Sequence, residues 1–344
     1  MKFENAYKYV IGIDVSQKTL DICRYEKSSG QISISQLSNT LSKIKSYLDK
    51  VSKLLLSQAL SKSDILFVLE PTGTYSDKIL MTLCSEDYKV SLVQPKQSDG
   101  FHRAMSWMNK TDIQAAKALA IMGSQLNLPL YKKPEDTMLK RKEISHALNA
   151  LKTQRQQTTN RLHALAQKVL RVPMVTKVYE ELVEQLDKQI EQLEKELQSL
   201  DDDDFEDEFK LISSVTGLGE KTTRLILIAA ESLKNLKRAD QVVKFFGLVP
   251  STHRSDSSVN KRGKITKRGN AQVRASLYMA ANSAIQYNPD CKELFERLRK
   301  KGKPYKVAKI AVMNKLIRQA FGVVRSGTKF SKEFYLKYKE TKTA

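Results

Sequence analysis

Cysteine and histidine are scarce in this chain, and neither is spaced as a set of metal ligands. Three of the 344 residues are cysteines and four are histidines. Because Cys23, Cys84 and Cys291 are odd in number and scattered, they are typical of reduced thiols in a cytosolic protein, not of a disulfide framework. The histidines form no ligand pattern with them, so a zinc site is not expected.

Long apolar runs are absent as well. No stretch approaches the roughly 20 apolar residues of a membrane-spanning helix, and no signal peptide precedes the first predicted strand. With 41% hydrophobic and 28% charged residues, the composition is that of a soluble globular protein. The length suffices for two or three domains with real cores, and we expect the protein in the cytoplasm.

Negative charge is in deficit, with 38 acidic residues against 59 basic ones and a net charge of +21. The last 94 residues, from Ser251 to Ala344, hold 23 Lys and Arg but only 6 Asp and Glu. Such a surplus predicts a polyanionic partner. Because these cations are dispersed among Gly, Ser and Tyr, without an amphipathic apolar face, nucleic acid is favoured over a membrane surface.

The N-terminal part of the chain is predicted to form an α/β sheet with parallel strand pairs, because apolar strands alternate with helical spacing. Strands are predicted at residues 9–13, around 20–22, at 65–69 and at 90–93. Helices are predicted at residues 38–60, 78–84 and 113–122.

Three carboxylates stand at the boundaries of these elements. Asp14 and Glu70 end apolar strands, where α/β sheets bind ligands and where a buried charge is costly unless it is paired or metal-bound. Asp112 opens a helix and, taken singly, is better explained as a helix-capping or first-turn acid. Taken together, their order resembles the ribonuclease-H-like site, in which carboxylates on neighbouring elements hold Mg²⁺ against a phosphate.

The middle of the chain is predicted to be helical. Residues 136–170 carry apolar side chains at helical spacing, Pro173 interrupts them, and residues 182–200 follow a heptad pattern. A helical hairpin or coiled coil that self-associates is favoured over a single amphipathic helix. The acidic residues 201–204 and 206–208 are predicted to form a solvated boundary.

The C-terminal part contains two loops suited to phosphate. The Gly-x-Gly turn at Gly217 and Gly219 resembles a helix-hairpin-helix turn, whose N–H groups hold a DNA phosphate. Residues 247–270 combine six hydroxyl side chains with six cations around Ser255. That composition fits equally a loop that only grips a phosphate backbone and one whose serine attacks phosphorus. His253 lies nearby in sequence, but its spacing does not show that it reaches Ser255.

The combination of motifs is more specific than any one of them. In chain order it reads IGID (Asp14), LEPTGTY (Glu70), NKTD (Asp112), a long helical insert, GLGEKT, GLVPSTHRS (Ser255), KRGNAQVRASLYMAA and GKPYKVAKIAVMNKL. Over nearly its whole length the chain resembles the Piv/MooV-type (DEDD) transposases of the insertion sequence 110 family, which act as bridge-RNA-guided DNA recombinases.

The resemblance implies a RuvC-like (ribonuclease-H-like) metal-binding domain over residues 1–128, a coiled-coil linker over 129–208 and a mainly α-helical C-terminal transposase domain over 209–344. It implies that Asp14, Glu70 and Asp112 hold Mg²⁺ (or Mn²⁺) and that Ser255 forms a serine–DNA phosphodiester. It also implies a guide (bridge) RNA that pairs with donor and target DNA. The implied assembly is a tetramer, a dimer of dimers through the coiled coil, in which one subunit supplies the carboxylates and another the serine.

The chain departs from the family pattern at two positions. The pattern KTDxxDA requires a fourth carboxylate, and Ala115 stands there. Because residues 112 and 115 share one helix face, the substitution removes a ligand from the site itself, which predicts an inactive or impaired enzyme. Asp256 stands where the family has a glycine after its serine, which adds a negative charge beside the phosphate.

Nine cations are predicted to bind nucleic acid, each contact adding about one unit to the salt dependence of binding. They are Lys110, Arg254, Lys261, Arg262, Lys267, Arg268, Arg274, Lys303 and Lys306.

Three other functions fit parts of the sequence. A RuvC-like Holliday-junction nuclease would use the same carboxylates to activate water and would need no serine. An actin-like sugar kinase or ATPase also has a strand–GID–turn–strand segment, but it requires a second Gly-rich phosphate loop that is missing here. The third is a non-catalytic assembly factor that binds RNA and DNA, and its only support is the missing carboxylate at Ala115.

Overall fold

The computed structural model describes residues 7–105, 111–170, 172–201, 203–251, 264–267 and 269–331. Within the chain two compact units are separated between Lys133 and Pro134. The predicted boundaries at residues 128 and 208 remain predictions, although a single helix, Asp203–Ser213, runs across the second of them.

The first unit is built on a five-stranded sheet in the order β3-β2-β1-β4-β5. Its strands are β1 (Tyr9–Val15), β2 (Thr19–Glu26), β3 (Ile32–Ser38), β4 (Ile65–Leu69) and β5 (Lys89–Leu92). Strand β1 is parallel to β4, and β4 is parallel to β5, whereas β1, β2 and β3 are antiparallel. The predicted α/β sheet with parallel pairs is confirmed.

Four helices cover this sheet, namely α1 (Leu41–Ser57), α2 (Asp77–Ser85), α3 (Pro95–Ala104) and α4 (Asp112–Gln125). Side chains alternate along β1, so Ile11 and Ile13 pack in one hydrophobic cluster with residues of α1 and α2. Val10 lies on the other face, in a cluster with Leu119 and Met122 of α4. Both faces of the sheet are therefore covered.

Helix α4 crosses β1 at unusually short range. A Cβ atom added to Gly12 would lie 2.1 Å from the carbonyl oxygen of Ala116 and 2.4 Å from the backbone nitrogen of Ala120. Since any side chain at residue 12 would push the helix away, Gly12 is what allows the two backbones to touch. This contact brings the first turn of α4 to the same end of β1 as Asp14.

The described residues of the second unit form helices and one short strand pair. Its elements are α5 (Asp136–Ala166), α6 (Pro173–Ser199), α7 (Asp203–Ser213), α8 (Glu220–Ala230), α9 (Ala239–Phe245), β6 (Pro250–Ser251), β7 (Lys264–Ile265), α10 (Ala271–Tyr287), α11 (Pro289–Lys300) and α12 (Tyr305–Ser326). The expected mainly helical C-terminal part is confirmed, whereas the ribonuclease-H-like and coiled-coil assignments stay predictions.

Helices α5 and α6 pack against each other as a hairpin. Arg155 on α5 forms an ion pair with Asp187 on α6, and Lys152 forms another with Glu194. Both pairs are exposed, so they contribute little to stability. Their main effect is to fix the register of the two helices.

The acidic segment after the hairpin is not the solvated boundary that its composition predicts. The Asp201 side chain is 7% exposed, and its carboxylate lies 2.6 Å from Arg224 and 3.9 Å from Arg141. Glu208 is buried and accepts hydrogen bonds from Ser232 Oγ and from the backbone nitrogen of Leu233. The prediction is wrong for Asp201 and Glu208, because composition does not show which groups distant in sequence meet these carboxylates, whereas Asp207 is exposed as predicted.

Strands β6 and β7 close a loop in the second unit. Pro250 pairs with Ile265 and Ser251 with Lys264, in antiparallel register. Ser251 and Lys264, the residues on either side of 252–263, are therefore held side by side. None of the helices in the described parts of the chain is long and apolar enough to cross a membrane.

Candidate active site

Asp14 lies on β1, one residue before the strand ends, on the face covered by α4. Strand alternation places it on the side of Gly12, and the Gly12 contact brings the start of α4 above it. Its side chain is half-buried. The predicted position at a strand end is thus correct to within one residue.

Glu70 directly follows β4, as predicted, and α3 fixes its orientation. Ser98 Oγ on α3 donates a hydrogen bond of 2.5 Å to Glu70 Oε2. Helix α3 begins at Pro95, a residue suited to the first helical position, and Gln97 Oε1 accepts from the backbone nitrogen of Gln94. Ser98 is a site residue that the sequence reading missed, although the Gln94-Pro95 start signal indicates the helix that carries it.

Asp112 is the first residue of α4, and the cap of that helix is Thr111. Thr111 Oγ1 accepts a hydrogen bond of 3.3 Å from the backbone nitrogen of Gln114. The N-cap role is therefore filled by Thr111, and the exposed Asp112 carboxylate is a first-turn acid. It remains available to a ligand.

The charges of these carboxylates act on one another. Burial, the largest cause, and the negative charges of Asp112, Glu70 and Asp21 raise the pKa of Asp14 from 3.8 to about 6, against a lowering by a hydrogen bond that its carboxylate accepts from the backbone N–H of Val15. Glu70 and Asp112 thus each lie within electrostatic range of Asp14. A cation among them would relieve this repulsion.

The donor chemistry fits a hard divalent cation, since every candidate ligand is a carboxylate oxygen. Within the described residues, however, no three His, Cys, Asp or Glu side chains are placed so that they could hold one metal ion. Ala115 is half-buried on α4, three residues after Asp112, and presents only a methyl group. The carboxylates are neighbours that do not converge on one point.

The candidate nucleophile and most of the predicted DNA-binding cations lie outside the described residues. These are Ser255, Lys110, Arg254, Lys261, Arg262 and Arg268, together with Asp256 and His253.

Four predicted cations are described. Lys267, Lys303 and Lys306 are exposed. Arg274 is half-buried, and its Nη1 donates hydrogen bonds to the carbonyl oxygens of Gly269 (2.9 Å) and Phe246 (3.3 Å). Three of them are thus accessible to a polyanion, whereas Arg274 ties together the segments that flank the loop.

The predicted helix-hairpin-helix-like turn lies between α7 and α8. Gly217 has φ +106°, and a Cβ there would lie 2.7 Å from the Cβ of Ala284. The fully buried Asn288 donates a 2.9 Å hydrogen bond from Nδ2 to the carbonyl oxygen of Thr216. Packing and a buried amide therefore fix the turn that precedes α8.

Two transposase family models match the chain. A DEDD transposase model matches residues 11–171, and the model described as "Transposase IS116/IS110/IS902 family" matches residues 209–296. The first contains the three carboxylates, and the second contains the Gly-x-Gly turn and the basic loop.

The chain is also similar to several other proteins. It is 25% identical over 337 residues to the pilin gene-inverting protein of Moraxella bovis, and the match covers 95% of this chain and 99% of that protein. The pilin gene-inverting protein of Moraxella lacunata matches with the same identity, length and coverage. It is 24% identical over 119 residues to an uncharacterized 43.6 kDa protein of insertion element IS110 from Streptomyces coelicolor, covering 34% of this chain and 29% of that protein. Among solved structures, T. thermophilus RuvC in complex with a Holliday junction substrate matches 33% of this chain and 91% of the RuvC chain. The sequence identity is 10% and the TM-score is 0.23, so this likeness carries no argument.

Proposed function

Because the chain is a DNA recombinase of the IS110 family of DEDD transposases, we propose that it cuts and rejoins DNA through a covalent link to Ser255. The observation that supports this proposal is that Asp14 on β1 has Glu70, directly after β4, and Asp112, the first residue of α4, within electrostatic range, so that after burial their charges raise its pKa. A carboxylate cluster of this kind is the chemistry that phosphoryl transfer requires on the electrophilic side.

Different residues of the chain have different roles in the proposed reaction. Asp14, Glu70 and Asp112 would hold Mg²⁺ or Mn²⁺ only after their side chains turn toward one point, because no three of the described side chains are placed to hold one ion in this structure. When bound, the ion would supply Lewis-acid polarisation of the scissile phosphate. Ser98 keeps the Glu70 carboxylate oriented. The exposed cations Lys267, Lys303 and Lys306 neutralise DNA phosphates.

The covalent step is an in-line transfer at phosphorus. Ser255 Oγ bonds to the phosphorus while the bond from phosphorus to the 3′-oxygen breaks. A carboxylate of the cluster accepts the serine proton and returns it to the leaving 3′-oxygen. The products are a phosphoserine link to one DNA end and a free 3′-hydroxyl on the other. Attack by a second 3′-hydroxyl reverses the step and rejoins the strands, so no water is consumed.

The partners follow from charge and exposed surface. The surplus of cations supports binding of DNA together with a guide RNA that selects donor and target sequences by pairing. Exposed apolar side chains around the start of α6 support a tetramer assembled as a dimer of dimers through the α5–α6 hairpin. They are Val172, Met174, Val175, Val178 and Leu182.

Ala115 predicts that the chain, with this residue, joins DNA poorly or not at all. The test is to incubate the Ala115→Asp protein with guide RNA, donor DNA, target DNA and Mg²⁺, with and without the further change Ser255→Ala. We expect covalent protein–DNA adducts and rejoined DNA only where Ser255 is present.

Two outcomes would contradict the proposal. Adducts formed by the Ser255→Ala protein would show that another residue is the nucleophile. Hydrolysed, unjoined DNA without adducts would indicate a nuclease that cuts by metal-activated water.

A further inference from the structure

One lysine of the second unit is buried without an acidic partner. Lys309 on α12 is 3% exposed, and its Nζ lies 3.5 Å from the centre of the Tyr278 ring on α10. Among the residues that the structure describes, Lys309 forms no ion pair and no hydrogen bond. Burial lowers its pKa below the ordinary value, because the charged ammonium loses water. The charge is therefore held against an aromatic ring and is not neutralised.

The other buried Lys or Arg of the described chain has an acidic partner. Arg141 lies 3.9 Å from the Asp201 carboxylate and also donates a hydrogen bond to the carbonyl oxygen of Leu200. A buried charge is costly unless it is paired, and a cation–π contact replaces only part of the lost hydration. The contrast indicates that the anion for Lys309 comes from outside the chain.

The ammonium of Lys309 can be reached from solvent, although the rest of the side chain is covered. Its Nζ makes no hydrogen bond, yet it is not one of the fully enclosed side-chain atoms that lack a partner. A buried stem with a charged tip at the surface is a common arrangement for lysine. Because side chains on a helix tilt toward its N-terminus, Lys309 covers the turn that precedes it, residues 305–308.

That turn is the open N-terminus of a long helix. Helix α12 has 22 residues, begins after Pro304, and has neither a side-chain cap nor an acid in its first turn. The carbonyl oxygen of Pro304 accepts hydrogen bonds from the backbone nitrogens of Val307 and Ala308. The N–H groups of Tyr305 and Lys306, two exposed residues, therefore have no acceptor within the helix. Free N–H groups at the positive end of a helix suit an anion.

Hydrogen bonds fix the segment that leads into this turn. Arg299 Nη1 donates a 2.7 Å hydrogen bond to the carbonyl oxygen of Lys303, and the backbone nitrogen of Lys303 donates one of 3.0 Å to the carbonyl oxygen of Leu298. Gly302 has φ +72°, which a side chain would disfavour. The first turn of α12 is thus held in place before any ligand arrives, with the exposed Lys303 and Lys306 beside it.

We propose that the first turn of α12 and the Lys309 ammonium together bind a backbone phosphate of DNA. The N–H groups of Tyr305 and Lys306 and Nζ of Lys309 would donate to its oxygens, and the Tyr278 ring keeps the ammonium in position. The inference rests on the proposed function for the identity of the polyanion, because a DNA recombinase must hold a DNA backbone. A partly desolvated charge gains more from a phosphate than an exposed one does.

The experiment is a titration of the full chain with a short fluorescent DNA duplex, followed by anisotropy. Salt is varied between about 50 and 200 mM, and a chelator prevents strand cutting. Lys309→Met keeps an unbranched stem and places a sulfur against Tyr278, but it removes the charge. We expect DNA binding to weaken at least about tenfold and the salt dependence to fall by about one unit. Lys306→Met should lose less affinity, because salt screens its exposed charge.

The melting temperature separates a role in binding from a role in folding. Lys309→Met removes a charge that has lost water without gaining an anion, so the variant should melt at the same temperature as the unaltered chain or higher. If it melts lower, Lys309→Gln, which is uncharged but polar, takes its place in the titration. Lys188→Met is the matched control, because Lys188 already lies 2.7 Å from Glu184 on α6, and its DNA affinity should stay unchanged.

The outcomes separate this inference from the proposed function. Unchanged DNA affinity of Lys309→Met, or a loss no larger than that of Lys306→Met, would overturn the inference and leave the proposed reaction intact. A loss seen with an RNA duplex but not with the DNA duplex would overturn the assignment to DNA. Failure of the unaltered chain to bind the DNA duplex would contradict the proposed function, and the inference with it.

Discussion

Asp14 opposes folding whenever it is ionised and no cation is present. Its pKa in the folded protein is about 6, above the ordinary value of 3.8, because burial and neighbouring carboxylates disfavour the charged form. The Asp14 carboxylate therefore lowers the free energy of unfolding by its full amount above pH 6. The loss is partial between pH 4 and 6 and absent below about pH 4. A site that binds a cation tolerates such a loss of stability in the metal-free protein.

Replacing Asp14 by Asn should therefore stabilise the metal-free protein, but only at the higher pH values. We expect the first unit of the Asp14→Asn variant to melt at a higher temperature than the unaltered chain above pH 6, and the two to converge toward pH 4. Thermal melts followed by circular dichroism between pH 4 and 8, in the presence of a chelator, measure this.

Asp64 provides a control of opposite sign. Hydrogen bonds from the backbone and side chain of Ser61 lower its pKa, so its charge supports folding above pH 4. Asp64→Asn should lower the melting temperature at neutral pH. A pH-independent shift in Asp14→Asn would contradict the electrostatic explanation.

At the scale of elements, the position of α4 depends on the absence of a side chain at Gly12. Gly12→Ala would place a methyl group 2.1 Å from the Ala116 carbonyl oxygen, so helix and strand must separate. Overpacking of this kind costs about 1–3 kcal/mol. We expect that loss in the free energy of unfolding by urea, and weaker Mn²⁺ binding because Asp112 moves with the helix.

Gly100 on α3 offers the matched control, because a Cβ added there meets nothing within 4 Å. Gly100→Ala should leave the protein as stable or more stable, since alanine favours a helix by about 1 kcal/mol over glycine. Equal effects of the two substitutions would argue against a specific contact at Gly12.

Elements with strong apolar periodicity could be predicted from the sequence, and those with polar surfaces could not. Strands β1 and β4 were found because they are almost fully buried, and β5 because its two central residues, Val90 and Ser91, are buried. Strand β3 was missed because it lies at the sheet edge with most of its residues exposed, and α3 because only Ser98 and His102 are buried. Apolar periodicity in a sequence arises from buried side chains, so it does not reveal helices and strands that bury few of them.

The candidate site was predictable to the extent that motifs mark it. Asp14, Glu70 and Asp112 each stand at an element boundary, where a charge after an apolar run is visible in the sequence. Asp21 stands inside a strand between Leu20 and Ile22, and its charge acts on Asp14 through a cross-strand register that the sequence alone does not reveal. The contact from Ser98 depended on the missed helix.

At the scale of the whole molecule, the hairpin of α5 and α6 presents apolar side chains that its own helices do not cover. Met174 is 69% exposed and Val178 is 50% exposed, although both lie on a helix with a clear apolar stripe. Side chains of this kind are typical of a surface that meets another chain.

Replacing both residues by serine should weaken self-association without unfolding the protein, because neither side chain is part of the core. We expect a lower mass in sedimentation velocity at equal protein concentration. Leu56→Ser, at a 77% exposed leucine on α1, is the control that should leave the mass unchanged. An identical mass for the double variant and the unaltered chain would show that this surface does not assemble the oligomer.

The β6–β7 pair sets a limit on distance. Ser251 is held in that ladder, and Ser255 is four residues further along the chain. A fully extended chain spans at most about 3.6 Å per residue, so the Cα of Ser255 stays within roughly 14 Å of the Cα of Ser251, whatever path the loop takes. The ladder therefore limits how far Ser255 can lie from Ser251. A phosphate that the proposed nucleophile Ser255 attacks must therefore lie close to the ladder.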